Sequence, residues 1–397
     1  MKIESIEPIH LLFPYPPARA FEYAGGRCTG RLTSLVRVHT STGAVGLGSA
    51  YTHPGLLDVL IRDQLEPLLL GEDPREVEGL WEKLYGVTRW YGRKGAALTT
   101  LGALDTAFWD LRGQALGKPV RQLLGPGSKA GCPAYASALL WNDLEALRAE
   151  AGALIERGFR RVKMRLGRSE DYDTAAVAAV RDAIGAQNDL LVDASMRYDV
   201  ALAERIARVL KENDVFWFEE PFAPEDLDSY ADLRGRIEVP IAAGENEFGV
   251  QGFRELIRCG CVDIVQPDAS RAGGISELVR VGALAQKAGV SLATHTWNDA
   301  VAVVANAQVV AALPCGITVE VDQTGNPLVD ELLVEPLRVE DGWLRLSDAP
   351  GLGIELRDDV VERWRLPNPP VVPEGNYSDM VFGREHFCPA GAYVEKD

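Results

Sequence analysis

Three acidic residues recur at equal intervals, each at or just after the end of a short apolar stretch. Asp193 ends LLVD, Glu219 ends VFWFE and Glu245 follows PIAAG, with 26 residues from each to the next. Helical patterns lie between these stretches, so the period predicts consecutive strand–helix units of a parallel sheet or barrel. In a barrel, residues at the C-terminal strand ends converge on one mouth. Three carboxylates there repel one another unless a cation lies among them, and Mg²⁺ is the hard divalent ion that best suits oxygen ligands.

Further polar residues stand near the ends of other predicted strands. Lys163 and Arg165 are two apart in RVKMRL, so their side chains should share one face of the strand. Asp268 ends VDIVQPD, His295 follows SLAT, and Glu320 lies in ITVEVD. These are residue types that hold, donate or accept a proton, and we predict that they meet the three carboxylates at the same mouth.

Together, the motifs KMR, VDA, FEEP, GEN, QPDA, THTW and VEVD resemble the enolase superfamily, in particular the mandelate racemase subgroup of its mandelate racemase/muconate lactonizing enzyme family. The resemblance covers nearly the whole chain and implies an α/β fold, a (β/α)7β TIM-like barrel with an α+β capping domain built from both termini. It also implies that one Mg²⁺ per active site is bound by Asp193, Glu219 and Glu245. Asp268 and His295 then correspond to the family's Asp–His dyad.

The chemistry of these side chains agrees with that resemblance. Removing a proton next to a carboxylate gives an enediolate, whose extra charge a bridging divalent ion and the cation of Lys163 stabilise. His295 has a pKa suited to a base, and Asp268 can orient its ring. Glu320, if its surroundings keep it protonated, can donate a hydrogen bond to the second oxygen.

Arg165 departs from the racemase, which has a lysine there as a second base. Arginine stays protonated near neutral pH, so Arg165 is a poor base but a good clamp for a carboxylate or hydroxyl. His295 as the one competent base favours elimination of water, hence a sugar-acid dehydratase that forms a 2-keto-3-deoxy acid. A cycloisomerase of a sugar-acid lactone, a racemase or epimerase of a hydroxy acid, and an inactive barrel scaffold with a binding role remain alternatives.

In this family, two loops of the capping domain largely select the substrate. They correspond to residues 20–30 and 49–55, where Tyr23, Tyr51 and His53 are candidates for binding substrate hydroxyls. Trp297, two residues after His295, is a candidate wall of the pocket. The substrate class implied is a small carboxylate, either a sugar acid or its lactone.

The pattern along the chain predicts three segments. Residues 1–125 contain a hairpin and a long helix that ends on Gly117, as in an α+β capping domain. Residues 126–345 follow a Gly/Pro linker and alternate eight strands with helices, as in a barrel. Two of those helices have cap candidates, Asn142 and Asp199. Residues 346–397 are expected to return to the capping domain.

Bulk composition excludes several classes of protein. The 397 residues carry a net charge of −17, which argues against nucleic-acid binding and against binding to anionic membranes. No uninterrupted apolar run reaches the length of a membrane span, and the six scattered cysteines are typical of reduced thiols in the cytoplasm. The family resemblance suggests a homo-oligomer, either a dimer or an octamer.

Overall fold

A computed structural model of the protein describes residues 1–125, 127–376, 380–383 and 385–389. The first of these ranges forms an α+β layer, and the second contains a closed barrel of eight parallel strands. The two parts share one continuous hydrophobic core. The predicted fold, a (β/α)7β barrel with an α+β capping domain, is confirmed.

The α+β layer is an antiparallel sheet with helices against one face. Strand β4 lies between β1 and β5, and β4 with β5 forms the predicted hairpin. Its strands are β1 Ile3–Pro14, β2 Phe21–Tyr23, β3 Gly26–Cys28, β4 Gly30–Thr40 and β5 Val45–Ala50. Its helices are α1 Pro54–Val59, α2 Glu66–Leu69, α3 Val77–Thr88, α4 Ala96–Leu116 and α5 Val120–Leu124, with a π-helical segment Leu60–Leu65 before α2.

Helix α4 is buried along nearly its whole length because it packs between the capping sheet and the barrel. It ends where predicted, since Gly117 adopts the left-handed conformation that stops a helix (φ 62°). Gly48 of β5 lets the helix approach closely. A Cβ at that position would lie 1.9 Å from the carbonyl oxygen of Ala103.

Two aspartates of α4 fasten the capping domain to the rest of the chain. Asp105 accepts hydrogen bonds from the backbone N–H and the hydroxyl of Ser276, at the start of a barrel helix. Asp110 accepts from the backbone N–H groups of Leu47 and Leu352. Both carboxyl groups therefore serve packing, and they lie outside the candidate site.

The barrel consists of eight strands joined by seven helices, and it closes because the last strand pairs with the first. Its strands are β6 Gly131–Ser137, β7 Arg161–Arg165, β8 Asp189–Asp193, β9 Val215–Glu219, β10 Ile241–Ala243, β11 Ile264–Val265, β12 Ser291–Thr294 and β13 Gly316–Asp322. Its helices are α6 Leu144–Glu156, α7 Glu170–Ile184, α8 Val200–Glu212, α9 Leu227–Arg234, α10 Gly249–Arg258, α11 Ile275–Ala288 and α12 Ala300–Ala312.

A separate apolar cluster fills the barrel interior. It is formed by one inward side chain from each of six strands: Tyr135, Leu191, Trp217, Ala242, Ile264 and Ala293. Inward positions alternate along a strand, so the next inward residue toward the C-terminal end is polar in several strands. This places Asp193 two residues after Leu191 and Glu219 two residues after Trp217, above the apolar cluster.

The two predicted helix caps had different outcomes. Asp199 caps α8, because its carboxylate accepts from the backbone N–H of Leu202. The prediction of Asn142 for α6 was wrong by one residue: Asp143 is the cap and accepts from the N–H of Ala146. Asn142 lies before the helix and accepts from the N–H of Asp143 instead.

After the barrel, the chain returns toward the capping domain. Arg365 forms an isolated β-bridge with Leu11 of β1, and strand β16 (Met380–Val381) pairs with β4, whereas β15 (Trp343–Arg345) pairs with β6 of the barrel. The elements are α13 Pro327–Asp330, β14 Val339–Glu340, β15 Trp343–Arg345, α14 Asp358–Trp364 and β16 Met380–Val381. The division into residues 1–125, 126–345 and 346–397 stays a prediction, and residues 377–379, 384 and 390–397 of the last segment lie outside the described part.

Candidate active site

The three evenly spaced acidic residues meet at the C-terminal mouth of the barrel. Asp193 ends β8, Glu219 ends β9 and Glu245 follows β10 by two residues. One carboxylate oxygen from each lies within 4.8 Å of the others. Oε2 of Glu245 is buried with no hydrogen-bond partner among the described residues, as expected of an atom reserved for an ion. An all-oxygen donor set of this size fits Mg²⁺.

Neighbouring donors fix two of these carboxylates. The indole N–H of Trp217 donates to Oε2 of Glu219 (2.9 Å), and the backbone N–H of Ser195 donates to Oδ1 of Asp193 (2.7 Å). Each donor lies two residues from its acceptor, so the local strand and turn hold the carboxylates in place. Donors fixed in advance lower the cost of assembling a metal site.

Lys163 lies fully buried among carboxylates. Its Nζ is 2.6 Å from Oε1 of Glu219, 2.9 Å from Oε1 of Glu320 and 3.7 Å from Oδ2 of Asp193. Burial alone would lower the pKa of Lys163, but the charges of Glu219 and Glu320 outweigh it and raise the pKa. Lys163 is therefore a cation here and a poor candidate for a base.

Arg165 is on the same face of β7 as Lys163, as the alternation predicts. Its guanidinium pairs with Asp193 and lies 4.3 Å from the ring centroid of Trp297. Burial would lower its pKa, but Glu245, Glu219 and Glu320 raise it, so the group stays charged. Its Nη2 is buried without a hydrogen-bond partner in the described part of the chain. This donor is available to a ligand in the cavity.

His295 follows β12 and is held by Asp268. Nδ1 of the imidazole is 2.9 Å from Oδ2 of Asp268, which leaves Nε2 directed toward Glu245, at 3.6 Å from its Oε2. Asp268 is fixed in turn by the N–H and hydroxyl of Ser270 and by the side-chain amide of Asn306. A carboxylate that orients an imidazole in this way is the geometry of a general base and its support.

Asn306 is a residue of the site that the sequence did not predict. It lies in α12, whose sequence AVAVVANAQVVAA is otherwise nearly all apolar. A buried amide in such a helix needs partners, and Asn306 finds them in Asp268 and in the backbone N–H of Ala269. The signal was present as a polar residue inside an apolar helix, but it did not indicate which strand the amide would face.

Replacing Asp268 with Asn should lower kcat by about 10²- to 10⁴-fold, because an amide does not hold the same imidazole tautomer or stabilise its charged form. The acidic limb of the pH–rate profile, which is set by protonation of the base His295, should shift as well. Asp232→Asn, on an exposed helix surface, is the control. An unchanged kcat and pH profile would show that Asp268 does not support the base.

The surroundings of His295 make its protonation depend on nearby charge. Burial alone would lower the pKa of His295, but Glu245, Glu320 and Asp268 raise it to about 9. A divalent cation among the carboxylates would cancel part of that negative charge and lower the pKa again. Metal binding should therefore release a proton.

We expect Mg²⁺ to release close to one proton per site near pH 8, about one unit below the raised pKa of His295. Calorimetric titration in buffers of different ionisation enthalpy measures that number. His295→Asn should release fewer protons than the unchanged protein. Equal release from both proteins would mean that another group gives up the proton.

Glu320 differs from the expectation that it is protonated. Burial would raise its pKa, but the cations of Lys163, His295 and Arg165 outweigh burial and lower it. Glu320 is therefore ionised and accepts a hydrogen bond from the backbone N–H of Thr296 (2.8 Å). The sequence did not predict this ionised state because the cations that cause it come from other strands.

A cavity of about 400 Å³ opens beside these groups. Three of the four residues predicted to contact substrate, Tyr23, Tyr51 and Trp297, line it together with Arg165, Glu245 and His295. Tyr51 contacts the ring of His295 edge-on, with centroids 5.9 Å apart. The fourth, His53, is not among the lining residues, because its Nδ1 caps α1 by accepting from the N–H of Gly55.

The C-terminal segment also lines the cavity, which the sequence did not indicate. Met380, Phe382 and Phe387 form part of the wall, and the ring of Phe382 lies 6.2 Å from that of Tyr23. Arg197 holds this segment in place by donating to the carbonyl oxygens of Ala24, Cys388 and Pro389. The capping loop and the C-terminal segment therefore close the cavity together.

Comparison with known proteins agrees with the fold. Residues 13–125 match the model of the mandelate racemase/muconate lactonizing enzyme N-terminal domain, and residues 146–360 match the enolase C-terminal domain-like model. The chain belongs to the mandelate racemase/muconate lactonizing enzyme family of the enolase superfamily. The resemblance stated from the motifs is thereby confirmed.

Several family members are similar along most of their length. D-galactarolactone cycloisomerase of Agrobacterium fabrum is 34% identical over 88% of this chain and 95% of its own. Arabinonate dehydratase of Saccharolobus solfataricus is 36% identical over 83% of this chain and 89% of its own. The structure of a racemase from Streptomyces coelicolor A3(2) with bound magnesium has a TM-score of 0.85 at 30% identity, covering 92% of this chain and 100% of that one.

No helix in the described ranges is both long enough and apolar enough to cross a membrane.

Proposed function

We propose that this family member removes the proton next to the carboxylate of a sugar acid and then eliminates water, giving a 2-keto-3-deoxy acid. The observation that carries the proposal is that the site offers one candidate base, the imidazole of His295. The positions where a second base would stand are occupied by cations. Lys163 and Arg165 are both held in the charged form by their carboxylate neighbours. A site with one base favours elimination over racemisation.

Each group of the site has a part in this proposal. Asp193, Glu219 and Glu245 bind Mg²⁺, which when bound neutralises the charge that develops on the substrate carboxylate. That use is supported by the oxygen-only donor set and by the magnesium in the related racemase structure. Lys163 lies within the same cluster and adds positive charge next to the reacting carboxylate.

The proton follows a short path in this proposal. Nε2 of His295 accepts the α-proton while Asp268, on Nδ1, stabilises the imidazolium. The same imidazolium then returns the proton to the departing hydroxyl, so that water leaves. Arg165 donates from its unpaired Nη2 to a substrate oxygen. Glu320 accepts hydrogen bonds and keeps Lys163 charged.

A lactone cycloisomerase is the second candidate, and the similarity to D-galactarolactone cycloisomerase favours it specifically. The first step is the same in both reactions. They differ in the leaving group, which is a hydroxyl in the dehydratase and the ring oxygen of the lactone in the cycloisomerase. An epimerase needs a second competent base, and a purely binding scaffold has no need for the assembled carboxylates, cation and dyad.

A screen of sugar acids and their lactones with Mg²⁺, followed by proton NMR in D₂O, tests the proposal. A 2-keto-3-deoxy acid that forms from an open-chain acid would establish the dehydratase. The same product formed only from a lactone would establish the cycloisomerase. Incorporation of deuterium at the α-carbon with inversion and without loss of water would show an epimerase and overturn the proposal.

We also propose a homo-oligomer, a dimer or an octamer, which light scattering on the purified protein distinguishes by mass. The substrate is a small carboxylate rather than a nucleic acid or a membrane, in keeping with the net charge of −17. A cytoplasmic location is proposed from the cysteines, none of which forms a disulfide in the described part of the chain.

A further inference from the structure

Arg271 is a cation of the cavity that neither the motifs nor the proposed reaction uses. It follows β11 and lines the same cavity as Arg165, which ends β7. In the closed barrel β7 and β11 are four strands apart in either direction. Arg165 and Arg271 therefore reach the cavity from opposite sides of the barrel.

The guanidinium of Arg271 is held in a fixed position. It lies 4.6 Å from the ring centroid of Tyr51 and 5.7 Å from that of Phe248. One of its nitrogens donates to Oδ1 of Asn246 (2.7 Å). Aromatic contacts and a single hydrogen bond fix the plane of the group while leaving donors on its edge unused.

Among the described residues, the charge of Arg271 has no direct anionic partner. Within the described ranges it forms no ion pair, and its Nε is buried without a hydrogen-bond acceptor. Asn246, a neutral amide, separates it from Glu220, the carboxylate at the end of this hydrogen-bonded chain. A partly buried cation with unused donors has lost hydration without gaining a counter-charge.

The other two arginines of the cavity differ in this respect. Arg165 pairs with Asp193, and Arg197 is occupied by three backbone carbonyl groups. Among the described residues, the guanidinium of Arg271 has one hydrogen-bond acceptor, a neutral amide, and so has neither the carboxylate of Arg165 nor the three acceptors of Arg197. A ligand carboxylate would supply the missing acceptors through a two-pronged hydrogen-bonded pair.

We propose that Arg271 binds a second carboxylate of the substrate, so that the substrate is a dicarboxylic sugar acid or its monolactone. The proposal rests on the function proposed above, which places the reacting carboxylate at the metal site. Tyr51 bridges the two ends, since its ring contacts both His295 and Arg271. A diacid that crosses the cavity would place its reacting end at the carboxylate cluster and its other end against Arg271.

The test compares a hexaric acid with the hexonic acid of the same configuration, with Mg²⁺ in D₂O. The unchanged protein should prefer the diacid by about tenfold or more in kcat/KM, since the second carboxylate gains charged hydrogen bonds to Arg271. Arg271→Gln should lower kcat/KM for the diacid by about 10- to 100-fold and change that for the monoacid by about threefold or less. Arg258→Gln, an exposed arginine outside this cavity, is the matched control, and Arg271→Lys should retain part of the preference.

Several results would overturn this inference. A preference of the unchanged protein for the monoacid would overturn it while leaving the proposed reaction intact. An equal loss on both substrates in Arg271→Gln would show that Arg271 only positions Tyr51 or Asn246. If neither a 2-keto-3-deoxy acid nor α-deuterium exchange is found with the two acids or their lactones, the proposed reaction itself would be overturned, and the inference with it.

Discussion

Glu219→Gln is expected to lower turnover by roughly 10³- to 10⁴-fold and to weaken Mg²⁺ binding, while the protein stays folded. Glu219 is fully buried and contacts both the proposed ion site and Lys163. The amide has nearly the same size but lacks the charge that balances a divalent ion and the lysine. Steady-state kinetics and calorimetric Mg²⁺ titration measure the two effects.

The control for this variant is Glu225→Gln, which makes the same change at an exposed position near the same strand. It should leave kcat and Mg²⁺ affinity unchanged. Circular dichroism checks that both variants are folded. Retained turnover and Mg²⁺ affinity in Glu219→Gln would show that the three carboxylates do not hold a catalytic metal.

His295→Asn is the second change with a large expected effect. Loss of the base should lower α-proton exchange in D₂O by roughly 10²- to 10⁴-fold or below detection. The asparagine keeps a polar side chain next to Asp268 but has no group that accepts a proton near neutral pH. Proton NMR of the substrate after incubation with the variant measures the exchange directly.

His39→Asn is the matched control, because His39 lies in the capping sheet, outside the candidate site, and pairs there with Glu7. It should exchange the α-proton at the rate of the unchanged protein. Continued exchange in His295→Asn would point to Lys163 as the base. The cationic state assigned to Lys163 from its carboxylate neighbours would then be wrong.

Periodicity was sufficient to predict the positions that depend on local geometry. Strand alternation placed Lys163 and Arg165 on one face, and the equal spacing of Asp193, Glu219 and Glu245 placed three carboxylates at one mouth. These features follow from repeating strand–helix units, whose geometry is similar from unit to unit. Family resemblance extended the prediction to the capping domain.

What the sequence did not predict depends on contacts between distant segments. Glu320 is ionised because cations from two other strands lie close to it. The guanidinium of Arg271 contacts the ring of Tyr51, a residue of the capping domain. His53 looked like a cavity residue but caps a helix, because its ring turns back onto Gly55. The C-terminal wall of the cavity is formed by residues more than 350 positions from the capping loop it contacts.

The most direct test of the central claim is a crystal structure with Mn²⁺ in place of Mg²⁺ and a hydroxamate analogue of the enediolate. We predict an anomalous peak bound by Asp193, Glu219 and Glu245, with Nε2 of His295 facing the carbon that corresponds to the α-carbon. A peak elsewhere, or an analogue whose α-carbon faces away from His295, would contradict the proposed metal site and base.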